Sequence, residues 1–196
     1  MSTPRRAAVQ AEVLRATEEL LAEGASWADL GVERIATTAG ISRTAFYFYF
    51  SDKRELLVRL TEEVTELLYV EADRWFSGEG DAETEVREAL QQIADVYAEH
   101  AQLLRVIVEV STYDEEVAAF WRSVIGRFVT ATRMRIEAEQ AAGKAPAFPA
   151  EPTAFSLAWM IERAMYQLNR QDPGFSRQEA VEALVRVWMR SVYGSA

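Results

Sequence analysis

Arg43, Thr44, Tyr47 and Tyr49 fall within one stretch of seven residues. Their chemistry suits a nucleic-acid duplex. A guanidinium forks onto a guanine edge, and a threonine meets a phosphate or a thymine methyl. Tyrosine hydroxyls reach phosphates and fix register. Thr37, Thr38 and Ser42 lie just before this cluster, where hydroxyls can touch a backbone, and Lys53 lies just after it. An ammonium in the first turn of a helix, beside free backbone N–H groups, completes an anion-binding set.

These side chains need helices to aim them. A short helix over Val32–Ala39 turns Ile35, Ala36 and Ala39 inward and leaves Thr37 and Thr38 out. Gly40 supplies the positive φ of a tight turn, and Ser42 caps the next helix. That helix, Arg43–Phe50, sets Phe46 and Phe50 one turn apart on one face. Phe46–Phe50 reads FYFYF, more aromatic surface than one short helix can bury. Ser51 or Asp52 caps a longer helix with Lys53 in its first turn. Helix, glycine turn, short helix is the helix-turn-helix pattern, whose second helix enters the major groove. A small three-helix subdomain with every aromatic in its core is the competing reading.

The net charge of −10 is unevenly placed. The first sixty residues hold eight basic and eight acidic residues, and the rest holds thirteen and twenty-three. An acidic remainder repels DNA and leaves the N-terminal face for docking. Arg5 and Arg6 precede the first helix and can reach along a phosphate backbone or belong to a loose tail. There is no cysteine, hence no disulfide framework. No apolar run approaches the roughly 18–20 residues of a membrane span, and no signal-peptide core opens the chain. A cytoplasmic protein is expected, with no membrane partner.

An enzyme is not expected. His100 is the one histidine, too few for a His-based metal triad. There is no Glu-x-x-His pair and no phosphate-cradling glycine loop. No cofactor and no metal are expected.

The stretch Ala39–Leu57, AGISRTAFYFYFSDKRELL, resembles the DNA-binding motif of the TetR family of one-component transcriptional regulators. Within that family the chain is most similar to actinobacterial repressors related to the ethionamide-resistance regulator. FYFYF, the Phe120–Trp121 pair and WMRSVYG at Trp188–Gly194 carry the closer likeness. The resemblance implies an all-α fold. Its parts are an N-terminal helix-turn-helix DNA-binding domain, residues 1–53, and a C-terminal ligand-binding and dimerisation domain, residues 54–196.

The rest of the chain reads as helices. The first runs Pro4–Glu23, with Val9, Val13, Ala16, Leu20 and Leu21 as its stripe. The fourth, Asp52–Phe76, carries Leu57, Leu60, Val64, Leu67, Leu68 and Trp75 over a length no helix-turn-helix needs, so it links both halves. A fifth follows over Ala82–Glu99 and a sixth over Ala101–Val110. Thr112 with Glu115 reads as a capping box opening a seventh helix, Tyr113–Ala142. The eighth, Ala154–Arg170, and the ninth, opened by Ser176 with Glu179 and ending near Tyr193, are apolar on more than one face. Helices apolar nearly all round are buried on two sides. A second copy meeting both helices across a two-fold axis is the expected partner.

Tyr97, Trp121, Phe128, Trp159, Tyr166 and Trp188 come from four of these helices. They can enclose an apolar ligand cavity or fill an aromatic core. The family resemblance implies the cavity, with a small, largely apolar effector inside. Carried over by position, its lining is Val86, Ile93, Tyr97, Trp121, Val124, Ile125, Phe128, Thr132, Trp159, Ile161, Met165, Tyr166 and Trp188. Two asparagines of the relatives' cavity are replaced by Ala158 and Ile161, leaving Thr132, Glu162 and Tyr166 as polar handles. The expectation is a homodimeric repressor on a palindromic double-stranded DNA operator, released by its effector. A helical small-molecule carrier without an operator is the alternative.

Overall fold

The computed structural model describes residues 4–194. Those residues form nine α-helices: α1 (Pro4–Ala22), α2 (Val32–Thr38), α3 (Arg43–Tyr49), α4 (Lys53–Phe76), α5 (Ala82–Glu99), α6 (Ala101–Val110), α7 (Glu115–Ala141), α8 (Ala150–Leu168) and α9 (Arg177–Tyr193). No strand occurs among them. None of these helices is long and apolar enough to cross a membrane.

Local chemistry sets most of the boundaries. The Ser42 side chain accepts from Ala45 N at 3.1 Å and opens α3. Asp52 caps α4, accepting from Glu55 N at 2.8 Å. Asp81 accepts from Thr84 N at 2.9 Å and opens α5. Ser176 and Glu179 complete a reciprocal capping box at α9. Gly40 takes φ +68° between α2 and α3, a conformation that costs other residues about 1–2 kcal/mol.

Two boundaries depart from the sequence expectation. The Thr112–Glu115 capping box does not form: Thr112 donates its hydroxyl to Glu109 O and closes α6. Asp114 caps α7 in its place, accepting from Glu116 N and Val117 N, each at 3.1 Å. A carboxylate in that position is the stronger acceptor. Helix α8 starts at Ala150 rather than Ala154. Pro152 falls in its first turn, where a missing N–H costs nothing.

The chain divides into two units. The first is Met1–Glu63 with Gln102–Ala118, and the second is Val64–Ala101 with Ala119–Ala196. In the first, α1 packs on α2 and α2 on α3. Val13, Leu21, Leu30, Ile35, Phe46, Phe50, Leu57 and Leu60 fill its core, with Leu103, Leu104 and Ile107 of α6. The Phe46 and Phe50 rings meet at 5.4 Å. Each fully buried ring contributes about 1.5–3 kcal/mol.

In the second unit α5 lies along α9, and α8 packs on both. Trp75 meets Trp188 edge to face at 5.1 Å and donates its indole N–H to Tyr193 at 3.1 Å. Arg135 of α7 anchors the α4–α5 turn, donating to Gly78 O and pairing with Glu139 at 2.7 Å. Leu67, expected inward, is half exposed, while Leu68 and Ala72 face the core. The helix turns 100° between Leu67 and Leu68, so both cannot face one neighbour.

Candidate functional site

On α3 the buried pair Phe46 and Phe50 fixes which face is left outside. Arg43, Thr44, Tyr47 and Phe48 are exposed and Tyr49 is half-buried. The Arg43 guanidinium sits 6.0 Å above the Tyr47 ring. Arg6 lies over Phe48 at 5.4 Å and over Tyr49 at 6.0 Å. Arg5 and Arg6 fall within the first turn of α1 and do not precede it. The region therefore presents two guanidiniums, two phenols and a bare Phe48 ring, 67% exposed. Phe48 was not singled out from sequence, although its place between Tyr47 and Tyr49 turns it away from the buried pair.

The surrounding hydroxyls differ in availability. Ser42 Oγ is engaged in the helix cap. Thr37 donates to Glu33 O at 2.8 Å within its own helix, and Thr38 is exposed. Lys53 departs from the reading as a phosphate contact. Its Nζ donates to Trp27 O and, at 3.1 Å, to Leu30 O, and it sits 4.7 Å from the Trp27 ring centre. Burial pushes its pKa down. Its hydrogens close the turn between α1 and α2 through backbone carbonyls, and the nearby Asp29 only partly offsets the burial.

The second candidate site is a cavity of about 70 Å³ in the second unit. Val86, Ile93, Tyr97, Trp121, Val124, Ile125, Phe128, Thr132, Ile161, Glu162 and Trp188 line it, together with Ala158. Trp159, Met165 and Tyr166 do not line it. Ala158, Ile161 and Glu162 share one stripe of α8. Met165 continues that stripe one turn further and is fully buried beyond the cavity. Trp159 and Tyr166 lie on the neighbouring stripe, seven residues apart. Trp159 packs on Phe155, and Tyr166 lies between the Arg163 and Arg170 guanidiniums.

Leu68, Ala72, Trp75 and Phe76 of α4, with Ala89 and Leu90 of α5, complete the wall. These were missed. The signal was the i, i+4, i+7 spacing of Leu68, Ala72 and Trp75 on a helix longer than its head requires. Glu162 carries the cavity's charge. Burial raises its pKa, and the Arg163 guanidinium and Trp121 indole only partly offset that. Burial likewise raises the pKa of the Tyr97 hydroxyl, and the nearby Glu162 adds to the rise.

Comparison with known proteins covers both parts of the chain. Residues 13–60 match the family described as bacterial regulatory proteins, tetR family. Residues 86–194 match the C-terminal domain of the transcriptional regulator EthR. The chain belongs to the TetR family of transcriptional regulators. It is EthR-like: it is 32% identical over 187 residues to the HTH-type transcriptional regulator EthR of Mycolicibacterium smegmatis, an alignment covering 92% of this chain and 84% of that one. Two solved structures share the fold at low identity. One is a putative TetR-family transcriptional regulator from Syntrophomonas wolfei, with TM-score 0.78, 17% identity and 94% and 95% of the two chains covered. The other is NalD of Pseudomonas aeruginosa, the secondary repressor of the MexAB-OprM multidrug efflux pump, with TM-score 0.74, 17% identity and 99% and 100% covered. The chain is a helix-turn-helix transcriptional regulator, and its family is not enzymatic.

Proposed function

We propose that the chain is a cytoplasmic repressor that binds a palindromic operator as a homodimer and is released by a small, largely apolar effector. Residues 1–53 read DNA, and residues 54–196 bind the effector and form the dimer through α8 and α9. Arg43 and Thr44 meet base edges, while Tyr47, Tyr49, Thr38 and Ser42 meet the backbone. Two heads would insert α3 into successive major grooves, roughly 34–36 Å apart.

One observation carries the release mechanism: α4 walls the cavity with Leu68, Ala72, Trp75 and Phe76, and its other end supplies Leu57 and Leu60 to the core of the head. A space of about 70 Å³ is far below the ~300–1,000 Å³ of drug-sized ligand pockets. An effector therefore has to push the wall outward, and α4 transmits the push as one rod. Release follows only if the effector prefers the widened state over the DNA-binding one. A family repressor of an efflux pump, NalD, makes repression the direction of choice.

The test is a gel shift of the full chain on duplex DNA from upstream of its own coding region. A discrete complex is expected that weakens steeply with salt. Tyr47→Ala should weaken it about tenfold, with the melting temperature nearly unchanged because Tyr47 is 47% exposed and surface substitutions cost little. Unchanged affinity in that variant would count against α3 as the reading helix.

A further inference from the structure

Glu162 enters the cavity with a side chain only 2% exposed; the Trp121 indole N–H approaches its carboxylate, but neither oxygen completes a hydrogen bond of normal geometry. Arg163 Nε lies 3.6 Å from Oε2, on a side chain half in solvent and stacked on Tyr166. That contact is long and comes from the outer side. Buried charges without hydrogen bonds are costly, so a carboxylate left in this state marks a place for a partner. Around it the cavity presents the rings of Tyr97, Trp121, Phe128 and Trp188. A carboxylate set among aromatic faces has the chemistry that recognises an organic cation, through charge, N–H donation and cation–π attraction. The Trp188 indole N–H also lacks an acceptor, which offers one hydrogen bond to an oxygen on the same ligand.

We propose that the effector is a protonated amine on an apolar body, held by Glu162 against the aromatic wall. The proposal rests on the reading of the cavity as the effector site and names the ligand class for it. A neutral alcohol satisfies one oxygen and leaves the charge uncompensated. A carboxylate meets like charge. A protonated amine offers up to three donors to two oxygens that have only the Trp121 indole and the outward Arg163 nearby.

The experiment titrates the full chain calorimetrically with three probes of matched body: 2-phenylethylammonium, 2-phenylethanol and 3-phenylpropanoate. The amine is expected to bind at least about tenfold tighter than the alcohol, a factor worth ~1.4 kcal/mol, with the carboxylate weakest. Glu162→Gln should abolish that gap by weakening the amine about tenfold while changing the alcohol less than about twofold. Glu162→Asp, which keeps the charge, should keep the preference, and thermal melts of both variants report folding. The proposal is overturned if the alcohol matches the amine, or if the gap survives Glu162→Gln. In either case alcohol binding leaves the cavity standing as a ligand site. If none of the three probes binds or moves the melting temperature, the cavity reading itself fails and takes the proposal with it.

Discussion

Lys53 and Arg43 are both cations close to the end of the head that carries α3, and their surroundings assign them different work. Arg43 is exposed beside Tyr47. Lys53 is bound to the carbonyls of Trp27 and Leu30. Arg43→Ala should cost about 1–3 kcal/mol of discrimination at one base pair while leaving the melting temperature almost unchanged. Lys53→Met should do the reverse. It strands two carbonyls, for a stability loss of about 1–3 kcal/mol, and leaves operator preference intact in the folded fraction. Paired gel shifts and thermal melts separate the two. Glu162 carries a further expectation in pH. Its folded pKa is raised from the ordinary 4.5, so between that value and the raised one the native state holds more proton than the unfolded chain. Stability then falls as pH rises through this window. Glu162→Gln should remove that slope and raise the apo melting temperature at neutral pH. A lower melting temperature would mean that the Arg163 contact outweighs the burial cost.

Both units draw on α4. Its apolar positions keep to one stripe but stand at different levels along the axis, so Leu57 and Leu60 serve one core and Leu68, Ala72 and Trp75 another. Ala72→Met offers a direct test of the cavity's role. The added atoms should occupy much of the free space of about 70 Å³ from the α4 side. Overpacking costs typically about 1–3 kcal/mol, so the variant should fold. It should retain operator binding yet lose its response to effector, read as a gel shift that no longer dissolves when ligand is added. Retained response would place the effector elsewhere.

For the whole molecule, charge and exposed apolar surface decide what it can meet. The acidic excess lies beyond the first sixty residues and disfavours DNA there. On α8 and α9, Phe155 and Val187 are exposed and Trp159 and Met160 half-buried. The proposed dimer face through α8 and α9 would cover this apolar surface. Val187→Glu should shift the chain toward monomer in analytical ultracentrifugation. Operator affinity should fall by at least about tenfold, since one head alone loses the effective concentration of the second. A variant that stays dimeric would move the interface off these helices.

The helices, the caps Ser42 and Ser176 and the inward and outward faces of α3 were legible in the sequence alone. These follow from a helical period, a glycine at φ +68° and short polar side chains beside free N–H groups, all of them local physics. The sequence also marked eleven of the cavity residues, because the family pattern fixes position along each helix. The tertiary structure alone decided that Lys53 turns inward, that α4 forms a cavity wall, that Trp159 and Tyr166 look elsewhere, and that Glu162 is buried without a well-formed hydrogen bond. Each of those outcomes depends on which atoms of distant segments arrive at the same place, and a residue's type and spacing carry no record of its neighbours across the fold.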